Sequence, residues 1–228
     1  MGGDMTTFYR LGPPDQYSRR ALLDKSARFR IMKCPENWGH RKVAGTYGQL
    51  RIVIKTKTID DLVWTIYNEC VLQQRTVDIF RAEGLTGFDT SPILWRSSRK
   101  DFVPPEGPLS RLAISGWGGF AREDSGVKIR EILPCCHHVI YDNVSAPTEI
   151  IDPSQWDGSD FFMVWPFPNK ILITSRVVEV LRRHKLKGYE LHLPLAQPNG
   201  FPTRCAGLLS WYFPRKRAKE LAKGQDIV

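Results

Sequence analysis

The sequence predicts an α+β fold made of two tandem copies of one mixed strand–helix–strand unit. Residues 62–88 and 163–189 align without a gap at an offset of 101, and eight of the 27 aligned pairs are identical. Self-similarity at a fixed spacing indicates a repeated structural unit. Short alternating segments predict strands and each copy has one amphipathic helical segment, without a run of βαβ units. We therefore expect strands and helices to be mixed in each copy.

The elements of the first half follow from its local patterns. Segment 74–83 predicts a helix with Val77, Phe80 and Ala82 facing inward. Gly84 suits the position just after a helix, where a left-handed backbone conformation is common. The predicted strands of this half are residues 6–11, 27–33, 49–55, 70–72 and 88–96.

The same order recurs in the second half, after a predicted linker over residues 97–108 that contains three prolines. Ser175 is expected to cap a helix over residues 176–184. The predicted strands here are residues 110–115, 128–133, 171–174 and 189–195, and residues 116–119 are expected to turn the chain. Segment 204–213 predicts a final strand or helix that docks on the body, followed by a short exposed basic helix.

Three parts are therefore expected: a first repeat unit over residues 1–100, a second over residues 101–205, and a C-terminal extension with a basic tail over residues 206–228. Two copies of one unit usually hide the apolar faces that neither could bury alone. We expect the copies to pack about a pseudo-twofold axis.

The composition is that of a folded chain with a basic surface. Hydrophobic residues make up 42% of the sequence and the net charge is +9. No stretch approaches 18 consecutive apolar residues and the first residues form no apolar leader, which predicts a cytoplasmic protein without a membrane segment. An odd number of cysteines, five, argues against a disulfide framework.

Two of the cysteines suggest a metal site, because Cys34 and Cys135 lie 101 residues apart and each follows a predicted strand. Thiolate and imidazole ligands suit zinc, and a structural zinc site needs four of them. Cys135 and His138 have a Cys-x-x-His spacing, and His40 is the nearest histidine to Cys34. The candidate zinc site is Cys34, His40, Cys135 and His138. The alternative is a degenerate site with packed cysteines and surface histidines.

A family resemblance rests on segments spread over most of the chain: FYRL (8–11), KCPENWG (33–39), SRLAISGWGG (110–119), PCCHH (134–138) and residues 151–191. These segments resemble the double-CXXCG motif family of bacterial proteins, which is abundant in myxobacteria and described as immunity proteins of toxin–immunity pairs. The resemblance implies zinc held by two Cys-x-x-Cys motifs. Cys34 and Cys135 match the first positions of those motifs, whereas Asn37 and His138 stand at the second positions.

Two further groups of charged residues are candidates for function. Asp152, Asp157 and Asp160 lie close in sequence and could act as acid and base or hold a hard cation, although an Asx-type turn is the favoured explanation for them. Basic residues near Trp211, Tyr212 and Phe213 could bind nucleic acid through phosphate contacts and base stacking. That candidate set is Arg182, Arg183, Arg215, Lys216, Arg217 and Lys219.

No catalytic constellation and no glycine-rich phosphate loop stands out. The sequence and the resemblance together predict a non-enzymatic immunity protein that neutralises a cognate protein partner, a toxin or effector, by occlusion. The alternatives are a basic nucleic-acid-associated accessory protein and a hydrolase that uses the three aspartates.

Overall fold

The computed structural model describes residues 7–14, 21–38, 42–135, 139–141, 148–196, 207–225 and 227–228. The strands are β1 (Phe8–Gly12), β2 (Leu22–Leu23), β3 (Phe29–Met32), β4 (Lys42–Thr46), β5 (Arg51–Ile54), β6 (Leu62–Trp64), β7 (Cys70–Gln73), β8 (Phe88–Pro92), β9 (Leu94–Ser97), β10 (Leu109–Ile114), β11 (Gly116–Phe120), β12 (Ile129–Ile132), β13 (Val139–Tyr141), β14 (Thr148–Glu149), β15 (Phe161–Trp165), β16 (Ile171–Thr174), β17 (Glu190–His192) and β18 (Leu195–Ala196). The helices are α1 (Gln74–Ala82), α2 (Ser175–Arg183) and α3 (Arg215–Ala222). Strands predominate, and the predicted α+β class is confirmed.

The two largest sheets each contain one strand from the other half of the chain. One sheet has the order β6-β7-β10-β8, and the other has the order β11-β15-β16-β1-β17. Strand β10 lies antiparallel between β7 and β8, with Leu109 opposite Gln73. Strand β1 lies antiparallel between β16 and β17, with Phe8 opposite Thr174. The sheets therefore exchange strands across the predicted boundary at residue 100.

The remaining strands form smaller sheets around this pair. Strand β5 lies between β2 and β9, and β14 pairs with β18. Two antiparallel hairpins, β3–β4 and β12–β13, lead into and out of the cysteine turns. We call these two hairpins, residues 29–46 and 129–141, the cysteine hairpins.

One apolar cluster joins the two halves. It contains the inward faces of α1 and α2. The fully buried side chains of Phe80, Phe161 and Leu181 lie in it. Strand β1 adds Leu11 and strand β10 adds Leu112 to the same cluster. Burying a large apolar side chain contributes about 1.5–3 kcal/mol, so this shared core links the halves strongly.

Helix α1 matches its prediction except at one position. Val77 and Phe80 are buried, as predicted, but Ala82 is exposed and Thr76 is buried instead. Gly84 follows the helix with a φ of +64°, which confirms its predicted place just after the last turn.

Helix α2 begins one residue earlier than predicted, at Ser175, and Ser175 does not cap it. The residue at the cap position is Thr174, whose side chain makes no capping bond. Its hydroxyl instead donates to Asp160 Oδ1 at 3.0 Å. The Ser175 N–H donates to the carbonyl of Thr7 at 2.9 Å, so the start of α2 is fixed by tertiary contacts.

Three other local predictions were wrong. Residues 116–119 belong to strand β11, which runs parallel to β15. Glycine permits this close approach, since a Cβ on Gly116 would lie 2.1 Å from the Phe161 carbonyl oxygen. The predicted strands 88–96 and 189–195 each divide in two, and the parts join different sheets. In the tail, helix α3 buries Ala218 and Ala222, so one face is docked.

The gapless alignment also misplaces one strand. In the β6–β7 hairpin Leu62 lies opposite Leu72, and in the β15–β16 hairpin Phe161 lies opposite Ile173. The paired residues of β6 and β15 thus lie 99 apart in sequence, Leu62 to Phe161, whereas those of β7 and β16 lie 101 apart, Leu72 to Ile173. Nine residues separate Phe162 from its partner Leu172, and seven separate Val63 from its partner Val71.

Two buried aspartates tie each half to the loop after the other half's helix. Asp61 accepts hydrogen bonds from Arg75 at 3.0 Å and from the Lys187 N–H at 2.9 Å. In the second half, Asp160 accepts hydrogen bonds from Arg176 at 3.0 Å and from the Thr86 N–H at 2.9 Å. We call the two arrangements the Asp61 clasp and the Asp160 clasp.

Candidate functional site

The two cysteines at an offset of 101 meet in the fold. Cys34 Sγ lies 3.4 Å from Cys135 Sγ, and both side chains are half-buried. Each cysteine follows the first strand of its cysteine hairpin, β3 or β12, so the two segments of the chain meet just after these strands. The sequence signal for this contact was the shared offset, and the structure brings these two predicted residues together.

The distance between the two sulfur atoms suits two ligands of one metal ion. Two thiolates that share a tetrahedral zinc at about 2.3 Å lie about 3.8 Å apart, whereas a disulfide bond measures about 2 Å. The backbone N–H of Asn37 donates to Cys34 Sγ at 3.3 Å, and such a bond favours the charged thiolate form. Asn37 therefore contacts Cys34 through its backbone N–H.

The other two predicted ligands, His40 and His138, lie outside the described residues. Among the residues that the structure describes, no group of three or more histidine, cysteine, aspartate or glutamate side chains could hold a metal ion. The four-residue zinc site stays a prediction, of which the Cys34–Cys135 pair is the described part.

The cysteine hairpins carry exposed apolar side chains. Trp38, four residues after Cys34, is 80% exposed, more than any other large apolar residue in the described part of the chain. Ile129 and Ile132 of strand β12 are also exposed. Where such side chains lie together they form the kind of apolar patch at which another molecule binds.

The candidate nucleic-acid residues lie on two helices. Arg182 and Arg183 are exposed on α2, where Arg183 forms an ion pair with Glu83 at 2.5 Å. Arg215, Lys216 and Lys219 are exposed on α3. Arg217 is engaged within the protein, because it pairs with Asp157 at 3.2 Å.

Of the tail aromatics, Phe213 is not accessible for base stacking, whereas Trp211 and Tyr212 are half-exposed. Phe213 is buried in edge contact with Trp117, and the guanidinium of Arg217 lies over its ring. Arg30 lies over the ring of Trp211. Nucleic-acid binding by the remaining exposed cations stays a prediction.

The three neighbouring aspartates have structural partners. Asp157 Oδ1 accepts from the Ser159 N–H at 3.1 Å, with Gly158 between them at a φ of +85°, which confirms the Asx-type turn. Hydrogen bonds from Ser154 and Gln155 lower the pKa of Asp152, as suits an anion that holds a turn.

A second feature was missed by the sequence patterns: a cavity of about 310 Å³ that is lined by residues of both halves. We call it the Glu69 cavity, after a buried carboxylate in its wall. Arg111 binds that carboxylate at 3.1 Å. Its charged residues Arg30, Glu69 and Arg111 come from three distant segments, and no local pattern of the sequence relates them.

Comparison with known proteins gives no relative from which a role could be transferred. No protein-family model matches the chain, and no curated protein matches it. Within the described residues, no helix is both long enough and apolar enough to cross a membrane.

Proposed function

We propose that this protein is a non-enzymatic binding protein that neutralises a cognate protein partner, a toxin or effector, by covering its surface. The observation that carries the proposal is Trp38, a large apolar side chain that is 80% exposed on a cysteine hairpin. Tryptophan is among the residues that contribute most when they enter a partner's pocket. The net charge of +9 favours an acidic partner surface, because complementary charge accelerates association.

The scaffold of this surface is, in our proposal, one unit used twice about a pseudo-twofold axis. Several contacts support it, because they recur with the roles of the halves exchanged. The Leu62 N–H donates to the Lys187 carbonyl, and the Phe161 N–H donates to the Thr86 carbonyl, both at 3.0 Å. The Asp61 and Asp160 clasps are related in the same way, and so are the exchanged strands β1 and β10.

Replacing Trp38 with alanine should weaken partner binding about 30-fold or more, as expected for an interface hot spot. The assay is co-expression with the product of the adjacent gene, followed by affinity measurement and by rescue of growth. Leu193→Ala is the matched control, since Leu193 is an exposed apolar residue outside the cysteine hairpins. This variant should leave partner binding unchanged. The proposal fails if the unmodified chain forms no complex and gives no rescue. Equal binding by the two variants would remove Trp38 from the interface.

We further propose that zinc joins the cysteine hairpins through Cys34, His40, Cys135 and His138. The described part of this set fits the metal, because two half-buried thiols lie 3.4 Å apart and one of them accepts a backbone N–H. When bound, zinc would fix the relative position of the two hairpins and so of Trp38.

Protein purified without chelator should contain close to one equivalent of zinc by elemental analysis, and Cys34→Ser or Cys135→Ser should lose it. Cys70→Ala should retain it, because Cys70 is fully buried in an apolar cluster and burial raises the pKa of its thiol. Less than about half an equivalent in the unmodified protein would refute an intact site.

A further inference from the structure

The Glu69 cavity has the features of a small-molecule site that the proposed function does not use. Its volume of about 310 Å³ lies at the lower end of the range for ligand pockets. Its wall combines three charged side chains with aromatic rings: Arg30, Glu69, Arg111, Tyr67, Trp211 and Tyr212. The cavity thus offers both polar groups and flat apolar surfaces at one place.

Glu69 is held in the wall of this cavity by its neighbours. Its side chain is only 8% exposed, and Oε1 accepts from Arg111 at 3.1 Å and from both the N–H and the hydroxyl of Thr46. Oε2 is buried as well, with no hydrogen-bond partner in the described part of the chain and almost no surface that an occupant could reach. The carboxylate therefore acts on an occupant through its charge, which offsets that of Arg111.

The cavity also has an excess of positive charge. Glu69 neutralises one of its two guanidinium groups, Arg111, and the second belongs to Arg30. Burial lowers the pKa of Arg30, and the nearby Arg111 acts in the same direction. Because Arg30, Glu69 and Arg111 are the charged side chains that line the cavity in the described part of the chain, Arg30 favours an anionic group in the occupant.

Aromatic side chains decide the shape of that occupant. The guanidinium of Arg30 lies 5.9 Å from the ring centroid of Trp211, next to Tyr212. Tyr47 and Tyr67 stand partly exposed at the same cavity. Rings of this kind favour a flat molecule that can lie against them.

We propose that the Glu69 cavity binds a small flat aromatic molecule that carries an anionic group. The ring lies against Trp211 and Tyr212, and the anion pairs with Arg30. Phosphate and carboxylate both meet this last requirement, so nucleotides and aromatic acids share the required chemistry.

Guanosine monophosphate and indole-3-acetate serve as probes for the two kinds of anion, with calorimetry and quenching of tryptophan fluorescence as readouts. At least one of them should bind the full chain with a Kd in the micromolar to millimolar range.

Arg30→Met tests the anion contact and should weaken binding at least tenfold. Arg28→Met is the matched control: Arg28 is exposed two residues earlier, does not line the cavity, and should leave affinity unchanged. Circular dichroism establishes that each variant is folded. The proposal is overturned if neither probe binds the folded chain, or if Arg30→Met and Arg28→Met bind alike.

Discussion

Gly188→Ala should lower the free energy of unfolding by about 3–5 kcal/mol, or prevent folding altogether. Gly188 has a φ of +90°, where a side chain is strained. An added Cβ would also lie 2.1 Å from the Leu62 carbonyl oxygen and 2.7 Å from the Asp60 Cβ. Relief would require moving strand β6, and Trp64 would lose its 2.8 Å hydrogen bond to the Gly188 carbonyl.

The control for this result is Gly158→Ala, measured by the same urea titration followed by circular dichroism. Gly158 has a similar φ of +85°, but an added Cβ would meet nothing within 4 Å. Only the backbone strain remains there, so we expect a loss of about 1 kcal/mol. Equal losses at the two positions would show that the contact with β6 is unimportant.

Asp160→Ala should be the second severe change, with an expected loss of about 2–4 kcal/mol. The carboxylate is buried and accepts hydrogen bonds from Thr174, Arg176 and the Thr86 N–H. The guanidinium of Arg176 is half-exposed, so water screens its charge. Most of the loss should come from the buried hydroxyl and N–H donors left without an acceptor.

Asp24→Ala is the matched control, because Asp24 also binds an arginine, Arg96, but does so at the surface. Removing this surface ion pair should change the free energy of unfolding little. Asp61→Ala should resemble Asp160→Ala, since Asp61 forms the corresponding clasp. If Asp160→Ala were as mild as the surface control, the Asp160 clasp would not hold the halves together.

Sequence periodicity located the helices well because their buried faces are local. Val77 and Phe80 of α1 repeat at the spacing of one helical face, and Gly84 ends the helix through its own backbone conformation. Strand partners were not predictable in this way, since pairing depends on residues far apart in the chain. The exchange of β1 and β10 is visible only once the sheets are formed.

Identity at aligned positions also proved a poor guide to equivalent contacts. Trp64 and Trp165 align at the offset of 101, but Trp64 donates to the Gly188 carbonyl and Trp165 donates to the Tyr141 hydroxyl. The two extra residues in the second hairpin loop displace β15 relative to β6. Two tryptophans from one alignment column thus occupy different environments.

The two candidate sites differ in the same way, because one could be predicted from the sequence and the other could not. The Cys34–Cys135 contact could be predicted because both cysteines follow equivalent strands at the same offset. The Glu69 cavity could not, because Arg30, Glu69, Arg111 and Trp211 come from four distant segments. No local pattern relates such residues, and only the packing of the strands brings them together.

The exchanged strands impose an order on folding. Of the described strands β1 is synthesised first, yet its partners β16 and β17 are among the last. Until β16 and β17 are made, β1 lacks these partners. Until β10 is made, the edges of β7 and β8 that pair with it are accessible to other chains. A nascent chain that meets a second copy at this stage could accept its β10 instead. Intermolecular strand swapping is therefore most favoured on polysomes, where many nascent copies of the chain lie close together.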